Sequence, residues 1–315
     1  MMILVENSLY FPSHEGGTAV LCGVLLVTVI AAFVARLRFQ ARALASARAV
    51  ARTLQDGMLR PLPSRVDGLR TEVRYRAAQP EARVGGDIYD VISTPFGVRV
   101  LIGDVMGSGM PAVGTALDAL GAFRELARCE PRLPMVAQRM DAALARRKGS
   151  EDFVTALLLG LSADEGRAEL VCCGHPPPLL IRGRRATYVD ALPPSPPLGL
   201  FGLQDEWCRS STVPLALGDR LLLYTDGVTE ARDTVGTFYP LADRAVALYD
   251  PDPGVFLDAV SADLGRHAKG RINDDVALLL IDYGDIRAQG EQLRSQSPQL
   301  IRTEDIQPVE DVRPI

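Results

Sequence analysis

An uncharged apolar segment near the N-terminus limits what this chain can fold into. From Gly17 to Ala35 the sequence GTAVLCGVLLVTVIAAFVA runs for 19 residues without Asp, Glu, Lys or Arg. A helix needs about 20 apolar residues to cross the hydrocarbon core of a bilayer. A cleaved signal peptide would carry a basic region before its apolar segment, and here no Lys or Arg precedes Arg36. The segment therefore predicts one transmembrane helix over 17–35, with a buried core helix as the alternative.

The charges on the two sides of this segment predict its orientation. The N-terminal side carries Glu6 and Glu15, whereas five arginines crowd the C-terminal side: Arg36, Arg38, Arg42, Arg48 and Arg52. Basic residues accumulate on the cytoplasmic side of a single-pass helix. The chain after Arg36 is therefore predicted to lie in the cytoplasm, held at the cell membrane by one helix. Residues 1–16 are expected to form a short extracytoplasmic N-terminus.

The residues after the apolar segment favour a juxtamembrane linker helix over 36–63. This stretch is rich in Ala, Leu and Arg and contains neither Gly nor Pro before Gly57, a composition with high helix propensity. Apolar residues recur every seven positions, at Leu37, Leu44, Ala51 and Met58. That spacing is typical of one seam position in a coiled coil. It is consistent both with a homodimer through this helix and with a solvated connecting helix.

Beyond the linker the chain changes to short strand-like runs. They are LRTEVRYRAA, GDIYDVIST, GVRVLIGDV, FVTALLLGLS, RAELVCCG, PPLLIRG, RLLLYTDG and DDVALLLIDY. Helical windows separate some of them, over 112–129, 133–147 and 253–269. Many strands with few helices, not in strict alternation, predict a layered α+β domain over 64–284 rather than a doubly wound parallel sheet. The polar, aperiodic segment 285–315 predicts a disordered tail.

Charge and cysteine content exclude several function classes. A formal net charge of −5 and a pI near 5.4 provide no basic field, so nucleic acid is not expected as a partner. None of the five cysteines has the spacing of a zinc or redox motif. No disulfide framework is recognisable either, and the pattern is typical of a reducing compartment.

Aspartates occur repeatedly where the predicted strands begin or end. Asp87 opens one strand and Asp104 closes the next, while Asp226 follows a third strand and Asp274 precedes the last one. Any one of these residues alone would be an ordinary turn residue. Ends of strands at one edge of a sheet converge in space, and a group of carboxylates without His or Cys suits a hard cation such as Mg²⁺ or Mn²⁺.

Six short blocks carry a resemblance to a known family. In chain order they are TLQDGMLRPLP, GGDIYD, IGDVMGSG, CGHPPPLLI, YTDGVTEA and NDDVALLL. Together they resemble the metal-dependent serine/threonine protein phosphatases of type 2C (PPM), in the bacterial branch typified by SpoIIE and RsbU. The resemblance runs from about Thr53 to Tyr283. It implies a β-sandwich of two antiparallel sheets flanked by helices, which agrees with the α+β expectation from the strands.

The resemblance also implies a set of catalytic metal ligands. Asp87 would bridge two Mn²⁺ or Mg²⁺ ions, and Asp104 with the backbone carbonyl of Val105 would hold one of them. Asp226 and Asp274 would hold the other. A hydroxide shared by the two ions would attack phosphorus in line, without a covalent enzyme intermediate.

The function implied by the resemblance is that of a hydrolase: a membrane-anchored serine/threonine phosphatase acting on a cytoplasmic regulatory protein. The branch suggests an anti-sigma-factor antagonist as the substrate. An alternative from another class is a catalytically impaired membrane scaffold that binds a phosphoprotein without turning it over. The diguanylate cyclase signature GGDEF also begins with GGD, but Ile88 and Tyr89 follow here and the other aspartate blocks would then have no explanation.

Two positions depart from the family pattern. Ser108 stands where the family usually has His, and Ala277 stands where it usually has Thr or Ser. Neither position is a metal ligand in this mapping, so both substitutions are expected to tune the site rather than abolish it. Asp90 is expected to form hydrogen bonds rather than bind metal, and His175 to have a structural role in a turn.

Overall fold

The computed structural model of the protein describes residues 15–77, 86–107, 109–146, 152–162, 166–189, 195–203, 208–269, 272 and 274–284. The side chains of residues 15–22, 47–56, 58, 162 and 203 are outside this description. Residues 1–14 of the expected extracytoplasmic N-terminus and the whole expected tail, 285–315, also lie outside the described residues. By its internal contacts the chain divides into two units, Met1–Val50 and Ala51–Ile315.

Helix α1 extends from Glu15 to Met58. Its large apolar side chains in the first unit are exposed, with Leu25, Val27 and Phe33 at 65%, 66% and 61%. The stretch Gly23–Ser46 is long and apolar enough to cross a membrane, and it overlaps the predicted span over residues 23–35. In other proteins, large exposed apolar surfaces mark contacts with proteins or membranes.

One sheet of the second unit, called the first sheet below, has six antiparallel strands. They are β1 (Arg65–Val66), β2 (Leu69–Arg76), β7 (Leu179–Arg182), β8 (Arg185–Tyr188), β10 (Asp219–Tyr224) and β11 (Val276–Tyr283). Their order across the sheet is β1-β2-β11-β10-β7-β8. The central strands β10 and β11 are buried along their whole length, which explains why residues 221–224 and 276–281 form uninterrupted apolar runs instead of alternating.

The second sheet has five antiparallel strands in the order β3-β4-β5-β6-β9. They are β3 (Asp87–Thr94), β4 (Gly97–Val105), β5 (Val154–Ser162), β6 (Arg167–Cys173) and β9 (Ser211–Pro214). The two sheets pack face to face through an apolar layer that includes Ile102 and Leu157 from the second sheet and Leu221 and Leu279 from the first. The interior of the sandwich is thus an ordinary aliphatic core.

Helices cover both outer faces of the sandwich. Helices α2 (Met110–Cys129) and α3 (Leu133–Ala145) pack on the second sheet, and α5 (Leu241–Ala247) and α6 (Pro253–His267) pack on the first. A single turn, α4 (Asp226–Thr229), follows β10. The predicted helices 112–129, 133–147 and 253–269 coincide with α2, α3 and α6 to within two residues at each end. The predicted fold, an antiparallel sandwich flanked by helices, is confirmed.

The segment that follows α1 is attached to the sandwich. Leu59 and Leu62 pack against the core between the sheets. The backbone N–H of Thr71 on β2 donates to the carbonyl of Ser64 at 3.0 Å, and the Thr71 hydroxyl donates to the carbonyl of Pro63. The last residues of the expected linker are therefore non-helical and fixed to the first sheet.

Candidate metal centre

The second sheet provides one pair of carboxylates. Asp87 begins β3, and it lies directly opposite Asp104 in the antiparallel pair with β4. Side chains at directly paired positions project from the same face, with Cβ atoms about 4.5–5.5 Å apart. A Cβ on Gly86 would lie 2.5 Å from the carbonyl oxygen of Val105 and 2.7 Å from Oδ1 of Asp104. Only glycine therefore allows the chain before β3 to approach these groups.

The first sheet provides a second group of carboxylates. Asp226 follows the end of β10 by two residues and begins α4, while Asp274 and Asp275 directly precede β11. A Cβ on Gly227 would overlap the carbonyl oxygen of Asp275. The glycine of the YTDG block thus brings the turn after β10 into contact with the turn before β11.

Thr225 connects the two groups. Its backbone N–H donates to the carbonyl of Ala277 at 3.1 Å, and its hydroxyl oxygen accepts the Ala277 N–H at 2.9 Å. The same hydroxyl donates to Oδ2 of Asp87 at 2.8 Å. The residue that follows β10 of the first sheet therefore orients a buried carboxylate of the second.

His175 makes a further connection between the sheets. Its Nε2 lies 3.1 Å from the carbonyl oxygen of Tyr224, and its Nδ1 lies 3.2 Å from the Thr155 hydroxyl. A carbonyl oxygen only accepts hydrogen bonds, so Nε2 carries the proton and Nδ1 accepts from Thr155. Burial lowers the pKa of His175 to about 4, against the opposing hydrogen bond to Tyr224. The imidazole is a neutral structural bridge, in agreement with the role expected for it.

The carboxylates from the two sheets influence one another. Burial, followed by the charge of Asp104, raises the pKa of Asp87 well above its usual range. Burial, followed by the charges of Asp226, Asp274 and Asp275, raises the pKa of Asp104 to about 7. Burial and then the charge of Asp274 raise the pKa of Asp226. These strand ends therefore form one electrostatic site.

The chemistry of this group suits a hard divalent cation. Its side-chain donors are carboxylate oxygens, which Mg²⁺ and Mn²⁺ prefer. Within the described residues, no three Asp, Glu, His or Cys side chains already surround a common point at coordinating distance. A cation would draw the carboxylates together and remove the repulsion that raises their pKa values.

Comparison with known families agrees with this geometry. The model of the Stage II sporulation protein E (SpoIIE) family matches residues 94–284, which is more than half of the chain. The chain belongs to the SpoIIE family. The matched range includes Asp104, Asp226 and Asp274 and begins after Asp87. The predicted membership in the SpoIIE/RsbU branch of the PPM phosphatases is confirmed.

Two curated relatives in Bacillus subtilis (strain 168) are phosphoserine phosphatases, a class of hydrolases. The chain is 24% identical to phosphoserine phosphatase RsbU over 157 residues, which cover 50% of this chain and 46% of RsbU. It is 25% identical to phosphoserine phosphatase RsbP over 223 residues, which cover 69% of this chain and 53% of RsbP. The chain thus spans about half the length of the curated relatives it matches.

Solved structures share the fold. The RsbU and RsbW domains of a Mycobacterium tuberculosis protein match with a TM-score of 0.57 and 25% identity, covering 68% of this chain and 61% of that one. The SiaA-PP2C domain of Pseudomonas aeruginosa matches with a TM-score of 0.61 and 17% identity, covering 78% of this chain and 98% of that one. The second likeness concerns the fold alone.

The departures from the SpoIIE-family pattern differ in their surroundings. Ser108 lies outside the described residues. The side chain of Ala277 is fully buried in the core between the sheets. The backbone N–H and the backbone carbonyl of Ala277 both form hydrogen bonds with Thr225.

Asp90 accepts a hydrogen bond from Nε of Arg124 on α2 at 2.5 Å. Asp90 therefore binds a helix to the second sheet, as its expected hydrogen-bonding role requires.

Three residues of the centre were given no role from the sequence. Asp275 is buried, and its charge helps to raise the pKa of both Asp87 and Asp104. The charge of Glu230 helps to raise the pKa of Asp226. Thr225 supplies the bond to Asp87. Each of them stands inside a block that the SpoIIE family shares, so the signal was their position beside or near an expected ligand.

A cavity of about 520 Å³ adjoins the centre. Its lining includes Gly227, Glu230, Arg232 and Asp274. The guanidinium carbon of Arg232 lies 3.8 Å from the centroid of the Phe238 ring, and the two residues also form an isolated antiparallel bridge. The cavity is large enough for a phosphorylated side chain and its neighbours next to Asp226 and Asp274.

Proposed function

We propose that this chain is a metal-dependent serine/threonine protein phosphatase of the PPM type. The observation that carries the proposal is the convergence of acidic strand ends from two different sheets. The Asp87–Asp104 pair of the second sheet shares an electrostatic site with Asp226 and Asp274 of the first. A sandwich that needed only turn residues at these places would not bury carboxylates against one another.

The proposed metal ligands are those expected from the sequence. Asp87, Asp104 and the carbonyl of Val105 belong to the second sheet, whereas Asp226 follows β10 and Asp274 precedes β11 of the first. Two Mn²⁺ or Mg²⁺ ions, when bound, supply a hydroxide at neutral pH and neutralise charge on the phosphoryl oxygens.

The remaining groups of the site orient the ligands. The Thr225 hydroxyl holds Asp87 in one rotamer, because its donor is directed at Oδ2. Hydrogen bonds of this kind typically change metal affinity by about 10–100-fold. Gly86 and Gly227 keep the backbones close enough for carboxylates from both sheets to meet. The cavity of about 520 Å³ that is lined by Glu230 and Asp274 receives the substrate side chain.

The proposed substrate is phosphoserine or phosphothreonine on a cytoplasmic regulatory protein, of the anti-sigma-factor-antagonist class. The names of the relatives RsbU and RsbP as phosphoserine phosphatases support the choice of phosphorylated residue. The phosphorylated protein is also the proposed partner.

The proposed location is the cytoplasmic side of the cell membrane. The apolar stretch Gly23–Ser46 supports a single-pass helix, and the arginines after Ala35 support a cytoplasmic phosphatase domain. The proposed layout is the one expected from the sequence. It consists of an extracytoplasmic N-terminus (1–16), a transmembrane helix (17–35), a linker helix (36–63), a phosphatase domain (64–284) and a disordered tail (285–315).

Phosphate release by the full-length protein in detergent tests the proposed activity. Phosphoserine and phosphothreonine peptides should be hydrolysed with Mn²⁺ or Mg²⁺, and EDTA should stop the reaction. Asp226→Asn should remove most activity, whereas Glu125→Gln, a matched loss of one carboxylate on α2, should retain it. Peptide binding with no turnover by the metal-loaded wild type would instead support the scaffold alternative.

A further inference from the structure

A hairpin contributes to the lining of the cavity beside the metal centre. It consists of residues 231–239, and it closes where the backbone N–H of Tyr239 donates to the carbonyl of Ala231 at 2.9 Å. Inside this pair the N–H of Asp233 donates to the carbonyl of Thr237 at 3.0 Å. Residues 231–234 line the cavity together with Asp274. The 231–239 hairpin therefore shares a cavity with a proposed metal ligand.

The tip of the hairpin is a tight turn. The N–H of Gly236 donates to the carbonyl of Asp233 at 3.2 Å, and Gly236 has a φ of 90°, which glycine adopts without strain. Oδ1 of Asp233 accepts the N–H groups of Val235 and Thr237, each at 2.9 Å. One oxygen of this carboxylate is thus used by the turn itself.

Helix α6 holds the second half of the hairpin. The hydroxyl of the buried Tyr239 donates to Oδ2 of Asp263 at 3.0 Å. Nε2 of His267 lies 3.0 Å from the carbonyl oxygen of Thr237, and because a carbonyl oxygen only accepts, Nε2 is the donor. The rings of Tyr239 and His267 are in edge contact, with 5.3 Å between their centroids. The hairpin is therefore fixed to α6 as well as by its own hydrogen bonds.

Arg232 lies in the first half of the hairpin and is held on Phe238. Its guanidinium carbon lies 3.8 Å from the ring centroid, and the two residues pair across the hairpin in an antiparallel bridge. Nη1 of Arg232 also donates to the carbonyl of Gly236 at 3.4 Å. A guanidinium that stacks on a ring uses its face, while its five N–H donors lie in its plane. The cation is thus positioned while further donors of it stay available.

The charge of Arg232 is not used in an ion pair of the protein. Its side chain is exposed, and within the described residues no carboxylate lies at ion-pair distance from it. The acids that line the same cavity are Glu230, Asp233 and Asp274, and in the described part of the chain Arg232 is the one basic residue of that lining. An anionic substrate would meet these carboxylates, and Arg232 supplies the opposite charge that can bind it.

We propose that Arg232 binds the phosphoryl group of the substrate directly. The inference rests on the proposed phosphatase function and assigns a role that none of the proposed metal ligands performs. Arginine donates two parallel hydrogen bonds to phosphate oxygens. A cation that is in place before the substrate arrives neutralises charge on these oxygens without reorganisation during the reaction. Phe238 and the turn of the hairpin support this residue.

Hydrolysis of two substrates by the full-length protein in detergent with Mg²⁺ tests the role of Arg232. One is p-nitrophenyl phosphate, and the other is a phosphoserine peptide with uncharged residues beside the phosphoserine. Arg232→Gln should lower kcat/KM at least tenfold for both, because both carry the same phosphoryl group. Arg232→Lys should recover part of the loss, since it keeps the charge without the planar fork. Arg185→Gln, which removes an exposed arginine of β8, should match the wild type.

Calorimetric titration of the Mg²⁺-loaded protein with sodium phosphate, at constant ionic strength, measures binding without turnover. The Kd for phosphate should rise at least tenfold in Arg232→Gln and stay unchanged in Arg185→Gln. Unchanged kcat/KM and Kd in Arg232→Gln, in the presence of an active wild type, would overturn this inference and leave the proposed function intact. A loss confined to the peptide would also overturn it, because Arg232 would then contact another part of the peptide.

A wild type that hydrolyses neither substrate would instead refute the proposed function. The phosphate titration would still test Arg232 in that case, and equal Kd values in Arg232→Gln and the wild type would overturn its assignment as a phosphate-binding residue.

Discussion

The hydroxyl of Thr225 donates a 2.8 Å hydrogen bond to Oδ2 of Asp87, and so a loop of one sheet orients a buried carboxylate of the other. The two residues are 138 positions apart in the chain. The geometry of the proposed centre therefore depends on how the two sheets pack, and not only on the loops that carry its acids.

Removal of this hydroxyl should weaken metal binding. In Thr225→Val, Asp87 loses a donor and the N–H of Ala277 loses its acceptor, each at a typical cost of about 1–3 kcal/mol. The Mn²⁺ concentration for half-maximal phosphatase activity should rise at least tenfold. Thr225→Ser keeps the hydroxyl and should stay close to wild type. Equal Mn²⁺ dependence in the valine variant and the wild type would show that this bond does not organise the centre.

The raised pKa of Asp104 predicts the pH dependence of the metal-free protein. Its folded pKa of about 7 lies above the ordinary value of 3.8, so the folded state favours the protonated form. This contribution to stability is complete below pH 3.8 and is lost as the pH rises to about 7. In EDTA, Asp104→Asn should therefore have a higher Tm than wild type at pH 7.5, and the difference should disappear near pH 4.

Saturating Mn²⁺ should reverse that order. The wild type gains stability from an ion that binds the folded state, whereas Asp104→Asn has lost a ligand charge. A Tm difference that is the same at both pH values, or that does not change with Mn²⁺, would contradict a role for Asp104 in a charged metal site.

His175 should have the opposite pH dependence. Its folded pKa of about 4 lies below the ordinary 6.5, so its contribution to stability is complete above pH 6.5 and is lost as the pH falls towards 4. The shift corresponds to about 3 kcal/mol. His175→Gln should unfold more readily at pH 7.5 but lose less stability than wild type between pH 6.5 and 4. Urea titrations at several pH values measure both effects, and parallel curves for the two proteins would refute the assignment.

The sandwich could be predicted from the sequence because its central strands contain uninterrupted apolar runs and its helices have clear boundaries. The acids at the strand ends could also be predicted, because each Asp stands next to an apolar strand within one short sequence block. The role of Thr225 could not be predicted, because it depends on the packing of one sheet on the other. Asp275 was given no role because its neighbour Asp274 was assigned as the metal ligand of the same block.

The strand pairing of Arg99 shows a second reason why the sequence-based prediction was incomplete. Arg99 is the only charged residue within the apolar run VRVLI, and alone it is typical of a solvent-facing position on a strand. Its partners Gly160, Glu169 and Thr212 come from three other strands. Only the register of three strand pairs brings them together, and sequence patterns do not determine register between distant strands.

The linker helix should pair two chains in the membrane if its apolar seam is a dimer contact. A single cysteine introduced at Leu44 should then form an intermolecular crosslink in membranes. A cysteine at Arg42, two residues away and off the seam, should crosslink much less. Equal crosslinking at both positions, or none at either, would leave a solvated connecting helix as the correct interpretation.

Manganese binding tests the central claim most directly, because the family resemblance implies that Asp87 would contact both ions. Electron paramagnetic resonance and metal analysis of the full-length protein should give two Mn²⁺ per chain with a spin-coupled signal. Asp87→Asn should lose the coupled signal while circular dichroism remains that of the wild type. A wild type that binds no Mn²⁺ or only uncoupled ions, or an Asp87→Asn variant that retains the coupled pair, would contradict the account.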